Sequence, residues 1–154
     1  MDFMTILHPG AIKVLGSVTS KRRLFQSLGE VASDVYDIST SAAVDALQDR
    51  ENLGPTGVGK GVALPHARLP GLNGVSAVFI RTETPLDFSA VDRQPVDLFF
   101  GLFAPEEAGV DHLKALALVS RTMRDKDICA KLRANDDPSI LHAILTESLP
   151  RQAA

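Results

Sequence analysis

The chain has 154 residues, of which 45% are hydrophobic and 23% are charged, with a formal net charge of −3 and a pI of about 5.8. This length and composition predict one globular domain with its own core, and they argue against an intrinsically disordered, collagen-like or coiled-coil chain. The small negative charge excludes a general nucleic-acid binder, because Lys and Arg are not in surplus over Asp and Glu to neutralise phosphates.

The first part of the chain predicts a short strand followed by two helices. Residues 11–18 alternate weakly between apolar and polar side chains, as in a short strand. Ser20 is a suitable N-cap for a helix that runs to about Tyr36, with apolar residues at helical spacing. A second helix is expected to begin after Ser39 or Thr40 and to end near Glu51.

The middle and the end of the chain predict strands and then helices. Strands are expected over residues 61–64, 75–82 and 96–103, the last almost continuously apolar, as in a strand covered on both faces. Helices are expected over residues 111–125, 127–134 and 138–149, with Asp111 and Asp137 as N-caps of the first and third. The predicted fold class is α/β: a three-layer sandwich, with a central mixed β-sheet flanked by helices on both faces.

A glycine-rich loop, GPTGVGKG, occupies residues 54–61. Its spacing imitates a phosphate-binding P-loop, but Gly61 stands where a Mg²⁺-binding Ser or Thr is required. A P-loop also follows a strand and opens a helix, whereas this loop follows a predicted helix and precedes a strand. The sequence therefore disfavours nucleotide binding. It leaves open a flexible connection or a backbone that closely approaches another group.

His66 follows this loop and is the first candidate catalytic residue. Pro65 restricts its own φ and extends the residue before it, so His66 is presented rigidly at the end of a strand. A neutral imidazole is a usable nucleophile near pH 7. A single histidine is more often structural, so this residue alone does not identify the function.

Two further residues strengthen the case for chemistry at His66. His112 is expected in the first turn of a helix, on the same stripe as its apolar residues, where it can orient a group on His66. Arg50, near the end of the second helix, can clamp an anion. The alternatives are a histidine at the edge of the core and a favourably placed cation at a helix C-terminus. Together, however, these parts suit the transfer of a phosphoryl group.

The sequence RENLGPTGVGKGVALPHA, residues 50–67, resembles the active-site signature of the IIA component of the phosphoenolpyruvate-dependent phosphotransferase system, of the fructose, mannitol and nitrogen-regulatory type. The segments QPVDL (94–98) and DHLKAL (111–116) match it as well, so the resemblance covers nearly the whole chain. Ala67 departs from it, since many members have glycine at this position. The resemblance implies a single IIA domain over residues 1–154 with an α/β sandwich fold.

The resemblance also implies the roles of individual residues. His66 would accept a phosphoryl group from a small histidine-phosphocarrier protein, and His112 would be the second active-site histidine. Arg50 and Thr56 would surround the phosphate, supported by Gly57 and Gly59 of the loop. No metal and no cofactor are implied.

The helix predicted over residues 111–125 resembles the nitrogen-regulatory branch most. Members of that branch signal through partners, such as potassium-transport regulators or stress-signalling enzymes, that recognise the phosphorylation state. Three alternatives stay open: a sugar-transport IIA component that passes phosphate to a IIB domain, a non-enzymatic interaction module, and a metal hydrolase using His66 and His112. The last is disfavoured because the sequence lacks the spacings typical of zinc ligands.

The remaining features predict where the protein works. Cys129 cannot form an intramolecular disulfide, which favours a reducing compartment, and it is expected to pack rather than to react. The longest strongly apolar stretch, residues 98–104, is far shorter than the roughly 20 residues that span a bilayer. We therefore expect a cytoplasmic protein without membrane insertion. His8, His142 and the basic cluster at residues 21–23 are expected to be solvated or to lie on a helix face.

Overall fold

The computed structural model describes the backbone of residues 1–153 and the side chains of residues 1–147. Within this part of the chain, six strands form one mixed sheet: β1 (Ile12–Leu15), β2 (Gly57–Gly59), β3 (Val62–Ala63), β4 (His66–Leu69), β5 (Ser76–Leu86) and β6 (Val96–Pro105). The helices are α1 (Phe3–Ile6), α2 (Lys21–Tyr36), α3 (Thr40–Leu53), α4 (Gly109–Met123), α5 (Lys126–Arg133) and α6 (Pro138–Ala153). The α/β sandwich predicted from the sequence is confirmed.

Strand β6 lies at the centre of the sheet. It is antiparallel to β5 and parallel to both β3 and β4, while β1 extends the sheet beyond β5 and β2 beyond β3. Helices cover both of its faces, which explains its continuous apolar sequence. Phe100 packs against Phe3 of α1 at a ring-centroid distance of 5.3 Å. On the opposite face, a side chain at Gly101 would meet Leu28 of α2.

The predicted helix caps are confirmed at α2 and α3 and wrong at α4. Ser20 and Ser39 accept backbone hydrogen bonds from the third residue after them, as N-caps do. Helix α4, by contrast, begins at Gly109, and Ala108 is its N-cap. Asp111 lies inside its first turn, because the backbone N–H of Asp111 already donates to the Ala108 carbonyl at 2.7 Å.

Four short elements were not predicted: α1, a 3₁₀-helix at Pro9–Ala11, β2 and β4. Each has only three or four residues, too few to show a periodic pattern. Strand β4 is the important one, because it begins at His66 and pairs with β6 in parallel, with His66 opposite Leu102. His66 is therefore the first residue of a strand and is held against the centre of the sheet.

Candidate active site

A cleft of about 620 Å³ opens where the end of α3, strand β4 and the start of α4 meet. It brings together Arg50, His66 and His112, three of the residues singled out from the sequence. The cleft is lined by Ala46, Asp49, Arg50, Leu53, His66, Ala67, Arg68, His112, Leu113 and Leu116. Charged groups and imidazoles thus share one surface with exposed leucines.

Two hydrogen bonds define the protonation of the His66 ring. Nδ1 lies 2.8 Å from the Leu64 carbonyl, which is an acceptor only, so Nδ1 carries the proton. Nε2 lies 3.2 Å from Nε of Arg50, which is a donor only. The neutral ring therefore has its lone pair on Nε2, the nitrogen that faces Arg50.

Arg50 lies in the last turn of α3 and connects the helix to the glycine-rich loop. Its Nη1 donates to the Gly54 carbonyl at 3.0 Å, while its Nε donates to His66. The guanidinium is thus held between the Gly54 carbonyl, which follows the helix directly, and the imidazole of His66 on β4. A fixed cation at this place is suited to a group that gains negative charge.

Burial keeps the His66 imidazole neutral at physiological pH. Desolvation is the largest cause that lowers the pKa of His66 below its ordinary value, and the charge of Arg50 lowers it further. The Leu64 carbonyl and the Glu51 carboxylate oppose this shift of the pKa, because both favour the protonated ring. The balance favours a neutral nucleophile.

His112 lies in the first turn of α4 and is buried, with 5% of its surface exposed. Its ring is inclined at 66° to that of His66, with 5.6 Å between the ring centroids. Arg68 donates from Nε to His112 Nδ1 at 3.1 Å. Burial is the largest cause that lowers the pKa of His112 to about 4, and the electrostatic interactions with His66 and with the Arg68 guanidinium contribute in the same direction.

Thr56 lies behind the cleft, not on its wall. It is buried, and both its backbone N–H and its hydroxyl donate to the carboxylate of Glu51. Lys21 completes this network with an ion pair to Glu51 at 3.0 Å. The expectation that Lys21 belongs to a solvated basic face was therefore wrong, since a buried carboxylate attracts its ammonium group.

The two loop glycines proposed from the sequence also lie away from the cleft. Gly57 packs so closely on Ala90 that a Cβ atom would lie 2.8 Å from the Ala90 Cβ. Gly59 has φ of +105°, a conformation that favours glycine. Of the alternatives left open for this loop, the structure shows the close backbone approach, and the neighbour is protein.

Sequence reasoning missed Glu51, Lys21 and Arg68. Arg68 follows His66 by two residues, and alternate residues of a strand share a face, so a predicted strand at β4 would have revealed it. Glu51 and Lys21 are 30 residues apart, and no local pattern links them. The sequence signal for these two residues is absent because their contact depends on how α2 and α3 pack.

Other features singled out from the sequence lie outside the cleft. Cys129 is buried in the core, and burial raises the pKa of its thiol, in agreement with the expected packing role. His142 lies on α6 with its Nε2 3.1 Å from the Leu7 carbonyl.

Among the described residues, no three His, Cys, Asp or Glu side chains are grouped so as to hold a metal ion. Nor does this part of the chain contain a helix long and apolar enough to cross a membrane.

Comparison with known proteins identifies the family. Residues 5–148 match the family described as the phosphoenolpyruvate-dependent sugar phosphotransferase system, EIIA 2. The chain is 43% identical to a nitrogen regulatory protein of Bradyrhizobium diazoefficiens, over 94% of this chain and 95% of the relative. It is 31% identical to the fructose-specific EIIA component of Haloferax volcanii, over 95% and 96% of the two chains.

A solved structure supports the same assignment. The nitrogen regulatory protein IIA-Ntr of Neisseria meningitidis superposes with a TM-score of 0.85 at 38% identity, covering 92% of this chain and 97% of that one. Sequence and fold thus agree over almost the whole length. The chain belongs to the EIIA 2 family of the phosphoenolpyruvate-dependent sugar phosphotransferase system.

Proposed function

We propose that His66 is phosphorylated on Nε2 by a histidine-phosphocarrier protein and that partner proteins respond to the phosphorylation state of this chain. The observation that carries the proposal is the geometry at His66. The ring donates from Nδ1 to the Leu64 carbonyl and presents the lone pair of Nε2 beside the guanidinium of Arg50. Family membership supports a phosphotransfer role in general.

The proposed step is an in-line displacement between two imidazoles. The N–P bond to the donor imidazole breaks as the N–P bond to His66 Nε2 forms. The donor enters with a protonated phosphoimidazole ring and leaves as neutral imidazole. The proton on Nδ1 stays on His66, where the Leu64 carbonyl accepts a hydrogen bond from it. The new positive charge on the ring is favoured by the carboxylate of Glu51.

Arg50 and His112 act on the transferred group in this proposal. The guanidinium of Arg50 turns from Nε2 to the phosphoryl oxygens, for which its planar donors are suited. His112 offers an N–H from the opposite wall of the cleft. Thr56, Gly57 and Gly59 support the site indirectly: Thr56 ties the loop to Glu51 of α3, Gly57 packs on Ala90 between β5 and β6, and Gly59 supplies a positive φ.

The rim of the cleft suits a protein partner. Leu53 at the end of α3 is 84% exposed, and Leu113 on α4 is 64% exposed. Exposed leucines next to a charged centre are typical of a surface that another protein covers. A phosphoryl group adds a charge of about −1.5 to −2 at this surface, by analogy with other phosphorylated residues, and such a change favours one partner over another.

The regulatory role is the preferred form of the proposal. The nitrogen regulatory relative is more similar to this chain than the fructose-specific one. We propose partners such as potassium-transport or stress-signalling proteins, encountered in the cytoplasm. The fructose-specific relative favours a second candidate, in which the chain passes the phosphoryl group to a IIB domain.

Phosphorylation with purified components tests the proposal. The protein is incubated with phosphoenolpyruvate, the first enzyme of the phosphotransferase system and a histidine-phosphocarrier protein, and an acid-labile phosphoryl adduct is sought. We expect an adduct on the wild type and on His8→Ala, which alters an exposed histidine, but none on His66→Ala. A wild type without an adduct, or an adduct that persists in His66→Ala, contradicts the assignment.

The same purified proteins distinguish the proposed role from a non-enzymatic interaction module and from a sugar-transport component. Equal binding of every partner by His66→Ala and His66→Asp favours a non-enzymatic interaction module. Rapid onward transfer to a IIB domain, with no partner that distinguishes the two phosphorylation states, favours the sugar-transport role.

A further inference from the structure

Arg68 reaches the cleft without a role in the chemistry proposed so far. It lies two residues after His66 on β4, and both side chains line the same cleft. In this structure the guanidinium of Arg68 donates from Nε to Nδ1 of His112 at 3.1 Å.

This hydrogen bond determines the tautomer of His112. An arginine N–H is a donor under all physiological conditions, so the Nδ1 that it contacts must be an acceptor. A neutral imidazole with a free lone pair on Nδ1 carries its proton on Nε2. His112 Nε2 is buried and has no hydrogen-bond partner among the described residues. The N–H that lacks a partner thus belongs to a ring that lines the cleft.

We propose that Arg68 is a positioning residue, which holds His112 in the neutral Nε2–H tautomer so that this N–H can donate to a phosphoryl group on His66. The inference rests on the proposed phosphorylation of His66. No proton is transferred: the Arg68 donor keeps Nδ1 unprotonated, and the N–H on the other side of the ring meets a phosphoryl oxygen. A donor fixed before the reaction stabilises developing charge at little cost in reorganisation.

The charged and buried surroundings of His112 also favour a neutral ring with an unprotonated Nδ1. Burial is the main cause that lowers the pKa of His112, and the electrostatic interactions with His66 and Arg68, both on β4, lower this pKa further. Removal of Arg68 takes away both a donor to Nδ1 and a repelling positive charge. Nδ1 is then free to bind a proton, so the ring is expected to populate both tautomers and to protonate at higher pH.

Nuclear magnetic resonance of ¹⁵N-labelled histidine tests the tautomer directly. We expect wild-type His112 to show a protonated Nε2 and an unprotonated Nδ1, and Arg68→Met to show a mixture of tautomers and a raised pKa. Arg121→Gln, which removes an exposed cation from the same helix, is the matched control and should resemble the wild type. The backbone amide spectrum checks that Arg68→Met is folded, which we expect because Arg68 is exposed.

Two results of this measurement overturn the inference. A wild-type His112 with its proton on Nδ1 excludes the proposed tautomer, whether or not any variant folds. An Arg68→Met protein whose His112 keeps the wild-type tautomer and pKa excludes Arg68 as the cause.

Onward transfer of the phosphoryl group shows whether Arg68 acts through His112. We expect Arg68→Met to slow this step on the order of tenfold, with His66 still phosphorylated. Arg68→Met added to His112→Ala should cause no further loss, because the two residues act as a unit. Losses that multiply would show that Arg68 contacts the phosphoryl group itself and overturn the positioning role.

If wild-type His66 accepts no phosphoryl group, the proposed function fails, while the resonance measurement still decides the tautomer of His112.

Discussion

The two imidazoles in the cleft face different partners, and this difference separates their roles. His66 has a carbonyl at Nδ1 and a guanidinium at Nε2, so the nitrogen that faces the cation keeps its lone pair. His112 has a guanidinium at Nδ1 and is more deeply buried, with its pKa lowered to about 4. One ring is thus suited to attack and the other to donate a hydrogen bond.

At the residue scale, we predict that His112→Ala still accepts a phosphoryl group but passes it on poorly. The lone pair of His66 does not depend on His112, whereas the transferred group loses a hydrogen-bond donor. The onward transfer rate should fall by about 10- to 100-fold. Rapid-mixing measurements of acceptance and onward transfer separate the two steps, and an unchanged onward rate would remove His112 from the mechanism.

At the scale of elements, α3 and α4 each contribute a leucine to the rim of the cleft. Leu53 and Leu113 are exposed, so polar substitutions there should leave the folded core unchanged. If the rim is a docking surface, burial of these two side chains contributes to the free energy of binding the partner. The two helix ends would then contribute to binding through these leucines, in addition to carrying Arg50 and His112, while β4 carries His66.

We predict that Leu113→Glu slows phosphorylation by the carrier protein about tenfold at low carrier concentration, because a charge replaces buried apolar surface. Thermal unfolding should be unaffected. Met4→Glu is the matched control, since Met4 is 76% exposed and lies away from the cleft. Equal rates for wild type and Leu113→Glu would show that the partner does not cover this rim.

The close packing of the glycine-rich loop on Ala90 leads to a second prediction at the scale of elements. A Cβ atom at Gly57 would lie 2.8 Å from the Ala90 Cβ and 2.9 Å from its Cα. Gly57→Ala should therefore destabilise the protein by about 1–3 kcal/mol, the usual cost of overpacking. Gly74→Ala is the control, because nothing lies within 4 Å of its added Cβ. Denaturant unfolding of both variants checks the prediction, which a stable Gly57→Ala would refute.

At the scale of the whole molecule, buried neutral histidine makes folding depend on pH. The unfolded chain protonates His112 below about pH 6.5, whereas the folded chain keeps this ring neutral down to about pH 4. Between these values the unfolded state binds more protons, so stability falls as the pH falls. His66 contributes in the same direction, since its pKa is also lowered.

We predict that His112 accounts for about 2 kcal/mol of the stability lost between pH 7 and pH 5, since one pKa unit corresponds to about 1.4 kcal/mol. Urea unfolding of the wild type and of His112→Gln at both pH values measures this contribution. The variant should lose less stability on acidification than the wild type. Equal losses would show that the pKa of His112 is ordinary in the folded protein.

Local sequence patterns were enough to predict the α/β class, most helix boundaries, and the three residues Arg50, His66 and His112 that share the cleft. These follow from local properties: apolar periodicity, Ser20 and Ser39 as caps, and residue types at a recognisable spacing. The predicted start of α4 was wrong, because a turn after β6 begins the helix at Gly109, before Asp111.

The tertiary structure alone decided the tautomers, the burial and the partners. Thr56 turned out to bind Glu51, Lys21 to form an ion pair with that carboxylate, and Arg68 to contact His112 across 44 residues. These contacts join segments that meet only when the helices pack on the sheet. Hydrogen bonds and desolvation depend on distances between such segments, and no local pattern in a sequence encodes those distances.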